Sequence, residues 1–270
     1  MIDGRTISLG GYARLWASNK KSDAFLVRVT SGGTLGSRLG AIYHDDILAA
    51  GYGGQVISSK GTVFFVLRPT LADFCTKIRR VTQVVYPKDI GAVLLSLNVG
   101  PGASVLECGS GSGGMTVVLA HMVGDEGTVV SYDLREEHQA VARENCHRWG
   151  VGDRVRFCLA DLEMAPIAEQ DMDACFVDVR CPWKVLPSVL PSIVPGGRVG
   201  ILVPTVNQVE STLSCLREQG CADLSVIETF QRRWRTNPER LRPDDTMVGH
   251  TGFLVFASTL SEEVAPDEYW

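Results

Sequence analysis

A glycine-rich turn between an apolar run and a helical run carries the clearest chemical signal in the sequence. Residues 105–114 read Val-Leu-Glu-Cys-Gly-Ser-Gly-Ser-Gly-Gly, and a helical pattern continues from Met115. A strand, a glycine turn and a helix in this order indicate nucleotide binding, because glycines let the backbone approach a ligand and amides at a helix start meet its polar groups. The spacing Gly109-x-Gly111-x-x-Gly114 also satisfies the dinucleotide fingerprint.

Two ligands therefore remain open at this turn, a nicotinamide dinucleotide and S-adenosylmethionine. Glu107 lies two residues before the first glycine. A carboxylate there would repel a diphosphate, whereas it would attract the ammonium or sulfonium of S-adenosylmethionine, so the methyl donor is favoured. Asp133, nineteen residues beyond Gly114, is placed to accept from two ribose hydroxyls. His138, one turn further, either closes over the same ribose or is a surface residue.

Two further acids follow predicted strands. Asp161 comes directly after Leu159-Ala160, where it suits an adenine amine and equally suits a helix cap. Asp178 ends the next predicted strand and precedes Pro182-Trp183. Because the carboxyl ends of parallel strands form the edge where ligands bind in α/β proteins, Asp178 is the best candidate for the reacting site.

A mixed segment precedes the glycine turn. Residues 82–89 read Thr-Gln-Val-Val-Tyr-Pro-Lys-Asp and combine an aromatic ring, a rigid proline and two charges. This composition predicts a substrate-facing lip, although Pro87-Lys88-Asp89 would serve equally well as a helix start.

A basic stretch near the C-terminus contrasts with the acidic average of the chain. Five arginines fall within eleven positions around Trp234. Basic residues usually form a solvated face, but this density with an aromatic inside predicts a phosphate-binding rim. The arginines are Arg232, Arg233, Arg235, Arg240 and Arg242.

Composition limits the classes of function. The 270 residues carry 26 Lys and Arg against 31 Asp and Glu, so the formal charge of -5 excludes global attraction to nucleic acid. The eight cysteines form no Cys-x-x-Cys pair, which predicts reduced thiols and no metal site. No apolar run has membrane-spanning length and the first residues lack a signal-peptide pattern, so we expect a cytoplasmic protein without a membrane segment.

The order of elements predicts an α/β protein. Residues 1–75 show short β-forming runs between glycine clusters, typical of a small β-rich domain. In residues 76–260, short apolar runs alternate with amphipathic stretches, which predicts parallel βαβ units in a Rossmann-like, doubly wound sheet. Residues 261–270 form an acidic tail that we expect to be disordered.

Together these segments resemble the tRNA (adenine-N1) methyltransferases, which modify the T-loop adenosine at tRNA position 58. The 82–89 segment is highly specific to that family, whereas the Glu107-x-Gly109-x-Gly111-x-Gly113 pattern is shared with S-adenosylmethionine enzymes generally. The blocks that match in order are residues 44–46, 65–71, 82–89, 107–113, 178–183 and 247–254.

The resemblance implies a methyltransferase sheet, S-adenosylmethionine as methyl donor, tRNA as partner and a homotetramer. It implies catalytic roles for Asp178, which would meet the target adenine, and for Tyr86 beside that base. Arg232, Arg233, Arg235 and Arg242 are then the predicted RNA-binding residues. The predicted donor-binding residues are Val84, Glu107, Gly109, Gly111, Ser112, Gly113, Gly114, Met115, Asp133, His138, Asp161 and Asp178.

The implied mechanism is direct in-line methyl transfer to ring nitrogen 1 of a flipped-out adenine, without a covalent enzyme intermediate. Two positions depart from the family pattern, because Asp133 stands where Glu is more usual and Arg180 where an apolar or acidic residue is common. Arg180 is expected to alter substrate preference.

Three other functions stay open at this stage. A nicotinamide-dependent oxidoreductase shares the fingerprint. A methyltransferase of another RNA, a protein or a small molecule would use the same donor. A non-catalytic tRNA-binding subunit would be expected to lack the glycine turn or the strand-end acids, and this sequence has both.

Overall fold

A computed structural model describes residues 6–18 and 23–261 of the chain. The chain divides into two compact units. The first comprises residues up to Lys77 together with Thr236–Leu241, and the second comprises Ile78–Arg235 and the residues from Arg242 onwards. The predicted boundary near residue 75 falls inside a helix that ends at Lys77, and most of the predicted acidic tail, residues 262–270, lies outside the described residues.

The first unit is a small, mostly antiparallel β structure. Its main sheet has the order β2-β1-β6-β5, and β3 pairs with β4 in a separate hairpin. Alternating residues such as Leu15, Phe64 and Val66 point to one apolar core. Its elements are β1 (Tyr12–Trp16), β2 (Ala24–Arg28), β3 (Thr34–Ser37), β4 (Gly40–Tyr43), α1 (His44–Ala50), β5 (Gln55–Ile57), β6 (Val63–Leu67) and α2 (Leu71–Lys77).

The short helix α1 was not predicted. Its first residue, His44, is buried, and its ring Nδ1 accepts a hydrogen bond from the amide of Thr30, 3.1 Å away. A seven-residue helix is marginal by itself, so this contact with a distant residue decides a structure that local periodicity does not reveal.

The second unit contains a seven-stranded sheet. Its elements begin with α3 (Pro87–Ser96), β7 (Ser104–Cys108), α4 (Gly114–Val123), β8 (Thr128–Asp133), α5 (Glu136–Trp149), β9 (Val155–Leu159) and β10 (Met172–Val177). They continue with α6 (Pro182–Val189), β11 (Ile193–Val203), α7 (Val206–Glu218), β12 (Ala222–Ile227), β13 (Trp234–Arg235), β14 (Arg242–Pro243) and β15 (Phe253–Ser258).

The strand order of this sheet is β12-β15-β11-β10-β7-β8-β9. Strands β9, β8, β7, β10 and β11 are parallel neighbours, whereas β15 runs antiparallel between β11 and β12. The chain leaves β7 towards β8 on one side and later returns to β10 on the other, so the sheet reverses its winding at β7. Ligands of open α/β sheets bind at the carboxyl ends of strands at such a point.

The predicted fold class is confirmed. The sequence pattern predicts a helix over Glu136–Trp149, and these are the bounds of α5. It also predicts strands over Ser104–Glu107 and Thr128–Asp133 and helices over Gly113–Met122 and Val206–Gln219, and β7, β8, α4 and α7 agree with these ranges within one residue at either end. Strand β11, predicted over Arg198–Val203, is longer because it begins at Ile193. Among the described residues, no helix combines the length and the apolar character needed to cross a membrane.

Candidate functional site

One cavity of about 440 Å³ lies where β7, β8, β9 and β10 end. Its wall combines the glycine turn, the ends of β8 and β9, the segment after β10 and part of the 82–89 segment. Residues separated by up to about a hundred positions therefore meet at one edge of the sheet. The predicted site residues in this wall are Val84, Gly109, Gly111, Ser112, Gly114, Met115, Asp133, His138, Asp161 and Asp178.

The glycines of the turn have different structural duties. Gly109 has a φ of 102°, and a Cβ there would lie 2.2 Å from the carbonyl oxygen of Asp178. Gly113, in a left-handed conformation, ends the turn before α4, and a Cβ there would lie 2.7 Å from the Cα of Ala142. Gly113 therefore serves the packing of the turn against α5 and is not part of the cavity wall, and its donor-binding role stays a prediction.

Glu107 is fully buried behind the turn and is absent from the cavity wall. Its Oε2 accepts hydrogen bonds from the hydroxyls of Thr116 and Ser131. Burial, more than the nearby carboxylates, raises the pKa of Glu107 to about 8. The predicted direct contact with a ligand is therefore not what this arrangement provides, since the side chain is enclosed by the core.

Asp133 links the glycine turn to the residue that precedes α5. Its Oδ2 accepts from the amide of Gly111 at 2.9 Å, and its Oδ1 accepts from the amide of Arg135 at 2.9 Å. His138 Nδ1 lies 3.4 Å from the same Oδ1. The carboxylate is thus held in the cavity wall by backbone donors, and its remaining lone pairs can accept from a ligand hydroxyl.

Asp161 follows β9 and is exposed in the cavity wall. Its Oδ1 accepts from the amide of Glu163 at 3.0 Å, and its carbonyl oxygen accepts from the amides of Met164 and Ala165. The helix cap considered from the sequence is absent, because a turn and not a helix follows Asp161. The contacts within this turn hold the carboxylate in the wall.

Asp178 follows β10 and lies in the wall beside Gly109 of the glycine turn. Its amide donates to the carbonyl of Cys108 at 2.8 Å, which continues the pairing of β10 with β7. Burial raises the pKa of the Asp178 carboxyl to about 6. A carboxylate that is costly to desolvate is well matched to a ligand that carries positive charge.

The 82–89 segment reaches the cavity through contacts that the sequence did not reveal. The hydroxyl of Ser112 accepts from the amides of Val81 and Thr82 and lies 2.9 Å from the hydroxyl of Thr82. Tyr86 is not in the wall; its hydroxyl accepts from the Gln83 side chain at 3.3 Å. No spacing signal in the sequence joins Ser112 to residues about thirty positions earlier, so the sequence could not reveal these contacts.

The predicted RNA-binding arginines lie outside the cavity wall. Arg235 on β13 is opposite Arg242 on β14 in a two-residue antiparallel ladder. Arg235 forms ion pairs with Asp244 and Asp245, so part of its charge is already balanced. Arg232 and Arg233 are exposed.

The cavity suits S-adenosylmethionine by the chemistry of its wall. The glycine turn forms part of the wall. Four acids, Asp133, Asp161, Glu163 and Asp178, outnumber the two arginines of the wall, Arg135 and Arg180. This excess of acids favours a cationic ligand with N–H and O–H donors over a diphosphate.

A sequence model of the family described as "tRNA methyltransferase complex GCD14 subunit" matches residues 62–245. The chain belongs to this family. The resemblance to tRNA methyltransferases seen in the sequence motifs is thereby confirmed, and the protein is a methyltransferase.

Individual members and neighbours of the GCD14 family agree. The tRNA (adenine(58)-N(1))-methyltransferase TrmI of Thermus thermophilus is 34% identical over 241 residues, 89% of this chain and 94% of the relative. A SAM-dependent O-methyltransferase of Thermotoga maritima superimposes with a TM-score of 0.90 at 34% identity, covering 96% of this chain and 97% of the other. TrmI of Aquifex aeolicus superimposes with a TM-score of 0.83 at 33% identity, covering 95% and 100%.

Proposed function

We propose that this protein transfers a methyl group from S-adenosylmethionine to ring nitrogen 1 of the T-loop adenosine at tRNA position 58. The observation that carries the proposal is the meeting of the glycine turn with Asp133 and Asp178 in one cavity. Family membership supports the substrate, because the similar TrmI proteins are named for this reaction.

On the donor side, S-adenosylmethionine supplies an electrophilic methyl group on a sulfonium. Asp133 accepts from its ribose hydroxyls, with His138 beside the same sugar and Asp161 accepting from its adenine amine. Val84, Ser112 and Met115 enclose the ligand together with Gly109, Gly111 and Gly114 in the cavity wall. Glu107 supports the turn from behind through its hydrogen bonds with Thr116 and Ser131.

On the acceptor side, Asp178 is the catalytic residue. Methylation of ring nitrogen 1 places positive charge on the adenine ring, and that charge is shared with the exocyclic amine. An ionised Asp178 that accepts from the amine stabilises this charge and selects adenine. Because nitrogen 1 already carries an in-plane lone pair, no base is needed to activate it, and positioning supplies most of the rate. Tyr86, next to Val85 of the cavity wall, flanks the base.

The proposal extends to the partner and the assembly. Arg232, Arg233, Arg235 and Arg242 contact tRNA phosphates, which a chain of net charge -5 can attract only through a local patch. Arg180, in the cavity wall, lies on the path of the incoming nucleotide. The enzyme acts as a homotetramer in the cytoplasm, where its tRNA substrate is found.

Mass spectrometry of nucleosides from unmodified tRNA treated with enzyme and donor tests the activity. We expect 1-methyladenosine from wild-type tRNA and none from a tRNA in which position 58 is replaced by another base. Methylation of ribose hydroxyls instead would support an O-methyltransferase, which the name of the Thermotoga neighbour would then describe for this chain as well.

Calorimetry with two ligands tests the cofactor. S-adenosylmethionine is expected to bind, and NAD is expected not to bind, because four acids outnumber two arginines, Arg135 and Arg180, in the cavity wall. Tight NAD binding would contradict the proposal. Donor binding without any methylation of RNA would identify a non-catalytic subunit.

A further inference from the structure

Four side chains of the second unit form a compact polar cluster away from the cavity wall, which we call the anchor. They are Lys88 and Asp89 at the start of α3, Thr229 after β12 and Thr251 before β15. The side chains of Lys88 and Asp89 are 10% and 2% exposed, so a full ion pair is removed from water here. A buried pair of this kind requires complete hydrogen bonding by its neighbours.

The hydrogen bonds of the anchor form a closed network, in which every member bonds to another member. Each threonine hydroxyl accepts from the Lys88 ammonium and donates to one oxygen of Asp89. For Thr251, the two distances are 2.5 Å to Nζ and 2.7 Å to Oδ2. For Thr229, the hydroxyl lies 2.9 Å from Nζ and donates to Oδ1, and its carbonyl accepts from Nζ at 2.8 Å.

A second link joins the same two chain segments one residue earlier on each. His250 Nδ1 lies 2.8 Å from Oε1 of Glu228, and Nε2 lies 2.8 Å from the carbonyl oxygen of Pro204. Glu228 contacts His250 directly, and Thr229 and Thr251 are joined through Lys88 and Asp89. These contacts hold the segment after β12 beside the segment before β15. The residues between them that belong to the second unit, 230–235 and 242–249, are called the arm below.

The arm has little secondary structure of its own. Nearly all of its residues are exposed, and its only ladder joins β13 to β14 over two residues. A two-stranded hairpin of this size has no independent stability in water. The arm nevertheless carries Arg232 and Arg233, and Lys88 of the anchor is three residues along the chain from Val85 of the cavity wall.

We propose that Asp89, Lys88, Thr229 and Thr251 are positioning residues that hold the arginine-bearing arm at a defined place relative to the cavity, so that bound tRNA presents its target base there. This inference rests on the proposed function for the identity of the substrate. The anchoring itself concerns only this chain. Asp89 touches neither donor nor acceptor and acts through the arm.

The test uses Thr251→Val, which keeps the shape of the side chain and removes its hydroxyl. Thr251→Ser keeps the hydroxyl and should therefore keep the wild-type behaviour. Thr212→Val is the matched control, because Thr212 is a fully buried threonine of α7 whose hydroxyl donates to the carbonyl of Gln208. The measurements are kcat and KM for tRNA at saturating donor, the donor dissociation constant, and hydrogen exchange of peptides from the arm.

For Thr251→Val we expect KM for tRNA to rise about tenfold, because a hydrogen bond to a charged group is lost. Exchange in the arm should accelerate, while the donor dissociation constant stays at the wild-type value. Thr251→Ser and Thr212→Val should keep the wild-type KM and arm exchange. An unchanged KM and unchanged arm exchange in Thr251→Val would overturn the inference, as would an equal effect of Thr212→Val on both.

Failure of the two proposals can be told apart. If the wild-type protein does not methylate tRNA, the proposed function fails, and hydrogen exchange still decides whether Thr251 anchors the arm. If the wild-type protein methylates tRNA and Thr251→Val does so with the same KM, the function stands and the positioning role is wrong.

Discussion

Gly109 and Asp178 approach each other so closely that a Cβ on Gly109 would lie 2.2 Å from the carbonyl oxygen of Asp178. The glycine turn after β7 and the acid after β10 are thus packed backbone to backbone. The groups proposed to hold the donor and the base are therefore positioned by one contact, since neither segment can shift without the other.

Gly109→Ala should disrupt both functions of this contact. The φ of 102° is unfavourable for alanine and the added methyl group meets backbone, so we expect destabilisation above about 1 kcal/mol. Donor affinity and turnover should fall together. Gly91→Ala in α3 is the control, because a Cβ there meets nothing within 4 Å and should raise stability by about 0.5–1 kcal/mol. Thermal unfolding and calorimetry measure both, and a stable, active Gly109→Ala would refute the role of the contact.

Asp178→Asn keeps the size of the side chain and replaces the anionic acceptor by an amide. Losing one preorganised charge partner should lower the single-turnover rate at saturating donor about a hundredfold or more. Some donor affinity should also be lost, because the carboxylate lies near the sulfonium in the proposed complex. The control is Asp173→Asn. Asp173 is a residue of β10, and its carboxylate accepts from the amide of Ser104. A near-wild-type rate in Asp178→Asn would show that Asp178 is not the acceptor for the adenine amine, and Tyr86 would be the next residue to test.

The rate should depend on pH through Asp178. Burial raises its pKa to about 6, and the proposed mechanism requires the ionised form. The single-turnover rate should therefore rise through pH 6 and level off above about pH 7. The Asp178→Asn variant should lack this limb. If both proteins share the same profile, the titrating group is another residue.

Stability should change with pH in the opposite sense. Because the folded pKa of Asp178 lies above its unfolded value of 3.8, the folded state binds more protons between these values. Its stabilising effect is present below about pH 4 and lost as the pH rises through 6. Chemical unfolding at pH 8 should find Asp178→Asn more stable than wild type by about 1–3 kcal/mol, with no difference near pH 4.

Asp133→Ala should weaken the binding of S-adenosylmethionine more than it lowers the rate of methyl transfer. Hydrogen bonds to a charged group contribute about 1.5–3 kcal/mol, which corresponds to roughly a tenfold to hundredfold loss of affinity. Loss of the Gly111 and Arg135 amide contacts adds to this effect. Asp153→Ala, an exposed acid before β9, serves as control. Calorimetry with S-adenosylmethionine that finds an unchanged dissociation constant would remove Asp133 from the donor site.

Changing Arg232 and Arg233 together to Ala should weaken tRNA binding and leave donor affinity intact. Loss of up to two phosphate contacts should reduce the slope of log affinity against log salt by about 1–2. Arg143 and Arg148 of α5, changed together, remove the same charge from another part of the second unit. Equal RNA affinity and slope in wild type and the Arg232/Arg233 variant would make the stretch a solvated face.

The sequence alone determined the elements and the order in which chemistry-bearing residues follow them. The bounds of α5 and the glycine turn between β7 and α4 were predictable because periodicity and glycine spacing are local properties. Asp133, Asp161 and Asp178 could be assigned to one sheet edge because parallel strands share their carboxyl ends.

The tertiary structure decided which of these residues reach the cavity. Glu107 and Gly113 match the motif as well as their neighbours do, yet Glu107 is enclosed by Thr116 and Ser131, and Gly113 packs on Ala142. Spacing within one motif does not say which way a side chain faces, because that depends on the helices packed behind the turn.

The anchor was beyond the sequence for a related reason. Lys88 and Asp89 lie about 140 to 160 residues from Thr229 and Thr251, and each pair reads locally as a helix start or a loop. They meet because β15 inserts antiparallel between β11 and β12, which brings the end of β12 and the start of β15 to the first turn of α3. Strand order is set by burial over the whole sheet, and no local pattern encodes it.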